Sequence, residues 1–222
     1  MFLTAMMAFL AVTVFSQITT GKVSYDVYLS SDNPQMSAYI EQMESSLMEI
    51  FFDGGKTRND FFMGEMSTTH TISIQGEDTT LVLMDNMYLG KVALKVTENE
   101  EDESGEYSFK VKSVELIDGE TKEVAGYQCK KAVVTYDNDF STEVWYTEEI
   151  KPEHRVGQYL FEEIPGMPLE MTGKNFGMDM KIVAYEVSNK LSKRQINSLF
   201  SLEIPKGYTL KTVEELRQFG QN

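Results

Sequence analysis

The sequence predicts a mainly β chain of the α+β class: a curved antiparallel sheet or incomplete barrel of roughly ten strands, partly covered by an early helix and a short C-terminal helix. Three observations carry this expectation. Apolar residues alternate with polar ones in many short runs, which is the period of a half-buried strand. Turn signals built on Gly and Asp separate those runs. Helical spacing is confined to two places, so helices do not alternate with strands and a parallel α/β sheet is disfavoured.

The elements follow in chain order. Val23, Tyr25, Val27 and Leu29 alternate with polar residues and predict a strand over 21–29. Pro34 opens a helix over 35–47, where Met36, Tyr39, Ile40, Met43 and Leu47 recur every three or four residues and Glu41 and Glu44 take the other side. Asp53-Gly54-Gly55 is a hairpin turn between strands at 48–52 and 56–63, and Gly76-Glu77-Asp78 a second one between 69–74 and 79–84. A strand at 89–96 leads to an acidic loop, 98–106. Tyr107, Phe109 and Val111 then share one phase while Val114 and Leu116 take the opposite one, which predicts a bulge near Ser113. Residues 121–136 read as one long strand, Asp137-Asn138-Asp139 as a turn, and 143–147 as the returning hairpin partner. Later strands are expected at 159–162, 169–172, 176–187 and 200–204, with a Lys/Ser-rich link near 188–195 and a final helix over 212–219.

Composition bounds the function. The chain carries 35 acidic against 20 basic residues, a net charge of −15, which argues against a nucleic-acid partner, since duplex binding requires clustered cations. A single cysteine, Cys129, excludes an internal disulfide framework and any Cys-rich metal site. Residues 1–16 hold no charge and form an apolar run too short for a membrane span, which needs about 20 residues; they read as a signal peptide cleaved before Gln17. Residues 17–222 then form a single domain, exported and periplasmic, outer-envelope associated or extracellular, with no integral membrane span.

Catalytic motifs are absent. There is no Gly-x-Ser-x-Gly, no His-Glu-x-x-His, and neither common glycine-rich nucleotide loop. Adjacent carboxylates such as Glu148/Glu149, Glu162/Glu163 and Glu214/Glu215 are expected by chance among so many acids. The two histidines, His70 and His154, would matter to a hydrolase only if the fold brought one of them to a Ser or a carboxylate. The chain reads as non-enzymatic, with no cofactor and no metal site.

Methionine is the positive signal. Of the 14 Met, only Met1, Met6 and Met7 fall in the leading segment, leaving 11 in the remainder. Met is flexible and polarisable, and suits surfaces that adapt to varied apolar partners. Phe176, Met178, Met180 and Ile182 share one strand face, and Leu169 and Met171 share a face in the strand before. The blander reading of these six is ordinary core between sheet and helix. The sharper one is a groove that binds a hydrophobic moiety, a lipid or an acylated protein, on the concave side of the sheet. A rival of another class is an acidic protein-interaction module of the envelope with no small ligand, engaging a basic partner through Glu100, Glu101 and Asp102.

Three stretches carry a family resemblance: Thr121-Lys-Glu-Val-Ala-Gly-Tyr-Gln-Cys-Lys-Lys-Ala132, Val144-Trp-Tyr-Thr-Glu-Glu-Ile150 and Ile164-Pro-Gly-Met-Pro-Leu-Glu-Met171. They resemble the exported bacterial GLPGLI family of unknown function, although here only the Pro165-Gly166 of the eponymous motif is kept. That resemblance implies a relation to the lipoprotein carriers LolA and LolB, whose fold is an incomplete antiparallel barrel closed by helices over an apolar cavity. It implies no catalytic residues.

Overall fold

The computed structural model describes residues 17–43, 46–97, 111–138, 140–155, 159–175 and 178–220. Among the described residues twelve strands join in one sheet: β1 (Thr20–Ser30), β2 (Leu47–Asp53), β3 (Lys56–Met63), β4 (Ser67–Ile74), β5 (Thr79–Asn86), β6 (Gly90–Thr97), β7 (Val111–Val124), β8 (Tyr127–Tyr136), β9 (Ser141–Thr147), β10 (Met167–Asn175), β11 (Met178–Ser188) and β12 (Thr209–Lys211). Their spatial order is β12-β6-β5-β4-β3-β2-β1-β11-β10-β9-β8-β7. Each neighbouring pair is antiparallel except β12 with β6. The edge strands β12 and β7 do not pair with each other, so the sheet is a curved open surface and not a closed barrel. The helices among the described residues are α1 (Pro34–Ile40), extended by a 3-10 turn at Glu41–Met43, then α2 (Lys193–Leu199) and α3 (Val213–Gly220).

The expected fold class holds, and so do both glycine hairpins, the last helix and the bulge, where the β7–β8 register slips between Val111 and Ser113. Five local expectations are corrected. The helix expected over 35–47 forms but ends with its 3-10 turn at Met43, and Leu47 begins β2, where it pairs with Phe62. Residues 121–136 are not one strand. Ala125 and Gly126, with φ of 50° and 83°, turn the chain back between β7 and β8; Gly takes that region freely and Ala does so at a cost. Residues 159–162 are not a strand: they join no ladder, and Leu160 and Phe161 are buried against the core as part of the connection between β9 and β10. Residues 200–204 form no ladder; the strand falls later, at β12, whose three residues are too few to show alternation. The Lys/Ser-rich link contains α2, started by a capping box in which the Ser192 hydroxyl accepts from the Gln195 N–H while the Gln195 side chain accepts from the Ser192 N–H. The acidic loop 98–106 and Phe176 lie outside the described residues.

Side chains pack on both faces. Ile50 pairs with Asn59, whereas its neighbour Phe51 pairs with Arg58, which pairs with Ile72. Successive strand residues point to opposite sides, so the core around Ile50 and the cluster around Ile72 occupy opposite faces. The larger core gathers Val23, Tyr25, Val27, Met48, Ile50 and Phe52 with residues of β8 to β11. It is sealed by the connection between β9 and β10, which contributes Ile150, Leu160, Phe161 and Ile164. Fully burying such a side chain stabilises by about 1.5–3 kcal/mol, so this connection is a part of the core. The smaller cluster is Ile72, Leu81, Leu83 and Ala93, covered by Leu202, Ile204 and Tyr208.

Candidate functional site

Cross-strand register places the apolar residues singled out from the sequence. One row runs Val27–Ile182–Met171–Val144–Ala132 across β1, β11, β10, β9 and β8, and all five are buried. The next row runs Leu29–Met180–Gly173–Thr142–Val134. Here Leu29 and Met180 are only half-buried and pack against the edge of the core. Met178, which begins β11, is also half-buried. Leu169 is fully buried, at the place where the β9–β10 register slips between Pro168 and Glu170. The six expected residues therefore divide: Leu169, Met171 and Ile182 are interior, Met178 and Met180 are reachable from solvent, and Phe176 is outside the described residues.

Three polar constellations were not legible as motifs, because register and long connections assemble them. On β3 and β4, Arg58 donates from Nε to Asp60 Oδ1 at 2.6 Å and from Nη2 to Asp60 Oδ2 at 3.0 Å. His70, opposite Asp60, places Nδ1 2.8 Å from Asp60 Oδ1. Elsewhere His154 Nε2 meets Ser73 Oγ at 2.8 Å and ties the β9–β10 connection to β4. Burial lowers the His154 pKa, against a smaller upward pull from Glu162. The proximity test posed for a hydrolase is thus met by both histidines, yet neither arrangement is a nucleophile–base–acid set. Asp60 is already engaged by Arg58, and Ser73 is buried.

The third constellation surrounds Trp145, the only tryptophan of the chain. Register aligns Lys131, Trp145 and Glu170 across β8, β9 and β10. Lys122 Nζ lies 5.5 Å and Lys131 Nζ 5.7 Å from the indole centroid, within cation–π range. Glu170 is buried and accepts from Lys122 at 2.5 Å, with Lys181 3.5 Å away. Lys131 is flanked by Glu120 at 3.3 Å and Glu143 at 3.4 Å. Three ammonium groups and three carboxylates leave this patch neutral. Alternation could have shown Trp145 facing away from Val144 and Tyr146, but not the partners it meets.

Cys129 is buried, and burial pushes its thiol up to about 12, against smaller lowering by a backbone hydrogen bond and Lys122. Almost none is thiolate at neutral pH, so the thiol is a poor nucleophile. Among the described residues, no three His, Cys, Asp or Glu side chains are grouped to hold a metal ion. No described helix is long and apolar enough to cross a membrane.

These features define an open single-sheet β fold that carries an apolar cluster on each face. The chain belongs to the family described as the N-glycanase peptide, N-terminal domain, whose model matches residues 42–203. This corrects the resemblance to the GLPGLI family and to LolA and LolB: all three stretches that carried it lie inside the matched segment. The fold is similar to PNGF-II in its P21 crystal form, at 18% identity and a TM-score of 0.52 over 90% of this chain and 33% of that one. The C2 form gives 16% identity and 0.50 over 89% and 32%. The chain thus spans about a third of the PNGF-II chains it matches. An uncharacterised conserved protein from Thermus thermophilus is more loosely alike, at 11% identity and 0.47 over 88% and 91%. A search of curated proteins found no match.

Proposed function

We propose that this chain is an exported, non-catalytic binding domain of the cell envelope that takes up an apolar moiety, the acyl chain of a lipid or of an acylated protein. The observation that supports it best is the continuity of the two rows. The buried Val27–Ile182–Met171 row passes directly into the half-buried Leu29 and Met180, with Met178 beside them at the start of β11. In this reading Met178 and Met180 form the mouth, and Leu169, Met171 and Ile182 its floor. Two adaptable thioethers at the opening suit a ligand of variable shape.

A second reading is favoured by the neutral cluster around Trp145. A sugar offers hydroxyls that both donate and accept, and an apolar ring face. Lys122, Lys131 and Lys181 supply donors, Glu120, Glu143 and Glu170 supply acceptors, and the indole supplies a flat apolar surface. The family description, N-glycanase, fits a saccharide-handling context.

Two titrations separate the readings. A fluorescent fatty acid added to the purified protein is expected to bind saturably, and Met180→Asp to weaken it about tenfold or more by placing a carboxylate at the opening. A neutral oligosaccharide read by Trp145 emission tests the other site. No saturable fatty-acid binding, or binding unchanged by Met180→Asp, defeats the first reading. A flat Trp145 response across the oligosaccharides defeats the second.

A further inference from the structure

The face that holds the smaller apolar cluster carries a device that neither ligand reading uses. Leu202, Ile204 and Tyr208 belong to a strap, residues 200–211, that runs from the end of α2 to β12 and covers Ile72, Leu81, Leu83 and Ala93. The strap is fixed at both ends. At one end β12 pairs with β6. At the other, the Leu199 carbonyl accepts from Arg58 Nη1 at 3.1 Å. Arg58 is aimed by its two bonds to Asp60, and its Nη2 also lies 3.0 Å from His70 Nδ1.

His70 Nδ1 therefore faces a donor and an acceptor at once, and it can serve only one. With its lone pair free it accepts from the Arg58 guanidinium. With a proton it donates to Asp60 Oδ1, the oxygen that already holds Arg58 Nε. In the imidazolium the second cation also stands against the guanidinium, and one carboxylate must serve both.

We propose that Arg58, Asp60 and His70 are a proton-operated fastener for the strap, closed while His70 is neutral with its proton on Nε2 and its Nδ1 lone pair toward Arg58, and loosened when Nδ1 is protonated as well. Loosening frees the Leu199 carbonyl, lifts residues 200–211 and uncovers the apolar strip of Ile72, Leu81 and Leu83. Among the described residues the other carboxylates nearby are engaged or turned to solvent: on β5, Asp85 shares the face of Leu83 but is exposed and held by Lys91 at 3.3 Å, and Glu203 of the strap is exposed. On β2, Glu49 stands opposite Asp60 but is taken by Lys22 at 2.8 Å and by the Ser24 hydroxyl. On β5, Leu83 stands opposite His70 and Leu81 opposite Ile72. On β6, Lys95 stands opposite Leu81 and is exposed. On α2, Lys193 and Arg194 are exposed in the first turn, at the far end from Leu199. From β3 the Phe62 ring meets the imidazole edge-on.

The test is hydrogen exchange of the purified full chain at about pH 5.5 and about pH 7.5, either side of the range in which imidazoles titrate, corrected for intrinsic chemical rates. Peptides covering 200–211 should lose protection about fivefold or more at the lower pH while those of β1, β2 and β11 do not change. His70→Gln, which cannot gain the charge, should abolish that difference. Equal strap protection at both pH values, or a difference that survives in His70→Gln, overturns the proposal. If His70→Gln does not fold, the wild-type series still decides: loss of protection shared by strap and core peptides also overturns it.

Discussion

Gly166 offers the sharpest test of the packing described above, because its need for a missing side chain is a matter of space alone. A Cβ built there would sit 2.0 Å from the Thr147 carbonyl oxygen, 2.7 Å from its carbon and 3.0 Å from Glu148 Cα. Relaxed contacts fall near 3.5 Å, so Gly166→Ala demands a displacement of about 1.5 Å. Every obstructing atom is backbone, and none can rotate aside. Either β9 or the start of β10 must move, at the rung where Met167 pairs with Thr147. Overpacking of this kind costs about 1–3 kcal/mol, and losing a terminal ladder bond adds about 1 kcal/mol. Gly166→Ala should therefore destabilise by about 3 kcal/mol, a large part of the roughly 5–15 kcal/mol of a typical domain. Gly76→Ala is the matched control: its Cβ meets nothing within 4 Å but its φ is +88°, so the cost should stay near 1 kcal/mol. Urea unfolding followed by Trp145 emission reports on both, since Trp145 lies on β9 itself. An unchanged midpoint for Gly166→Ala, or a shift no larger than that of Gly76→Ala, would refute the claim that β9 and the Pro165-Gly166 turn are in rigid backbone contact.

Two further outcomes follow from buried polar groups. The Tyr25 hydroxyl, wholly inside the core, donates to the Pro168 carbonyl at 2.8 Å; Tyr25→Phe removes that buried bond and should lower stability by about 1 kcal/mol with an unchanged denaturant slope, and an unchanged urea midpoint would contradict it. His154 has its folded pKa lowered chiefly by burial, so below the ordinary imidazole range the unfolded chain binds the proton that the folded chain resists. Stability should accordingly fall as pH drops from about 6.5 toward the depressed folded value; a flatter profile in His154→Gln is expected, and an identical one would remove His154 from the cause.

Alternation along single strands made the sheet legible. Val23, Tyr25 and Val27 announced both β1 and the face it buries, and the phase change between Val111 and Val114 announced the bulge. Segments whose role depends on distant partners were opaque. Leu160 and Phe161 look like a strand by composition, and only the apolar face beneath them shows why the chain crosses it without pairing. The same limit explains the family correction: the stretches at 121–132, 144–150 and 164–171 encode a positive-φ hairpin, a strand and a tight Pro-Gly approach, features of backbone geometry that unrelated families can share. For the ligand residues, period-2 spacing grouped Met178, Met180 and Ile182 correctly on one face, yet it cannot say that the β9–β10 connection joins the core at Ile182 while Met178 and Met180 stay half-buried. The Arg58–Asp60–His70 and Trp145 groups arise from register between strands, which no local window contains.

The central strand β1 lies between β2, the next strand of the chain, and β11, whose residues come more than a hundred positions later; Val23 pairs with Val187. At synthesis rates of about 5–20 residues per second, one flank of β1 waits on the order of 10–30 s for its neighbour to emerge. Through that interval Val23, Tyr25 and Val27 have half of their seat. The nascent polypeptide thus behaves as two unfinished wings, β2–β6 and β7–β10, and closes along a single seam only when its last quarter arrives.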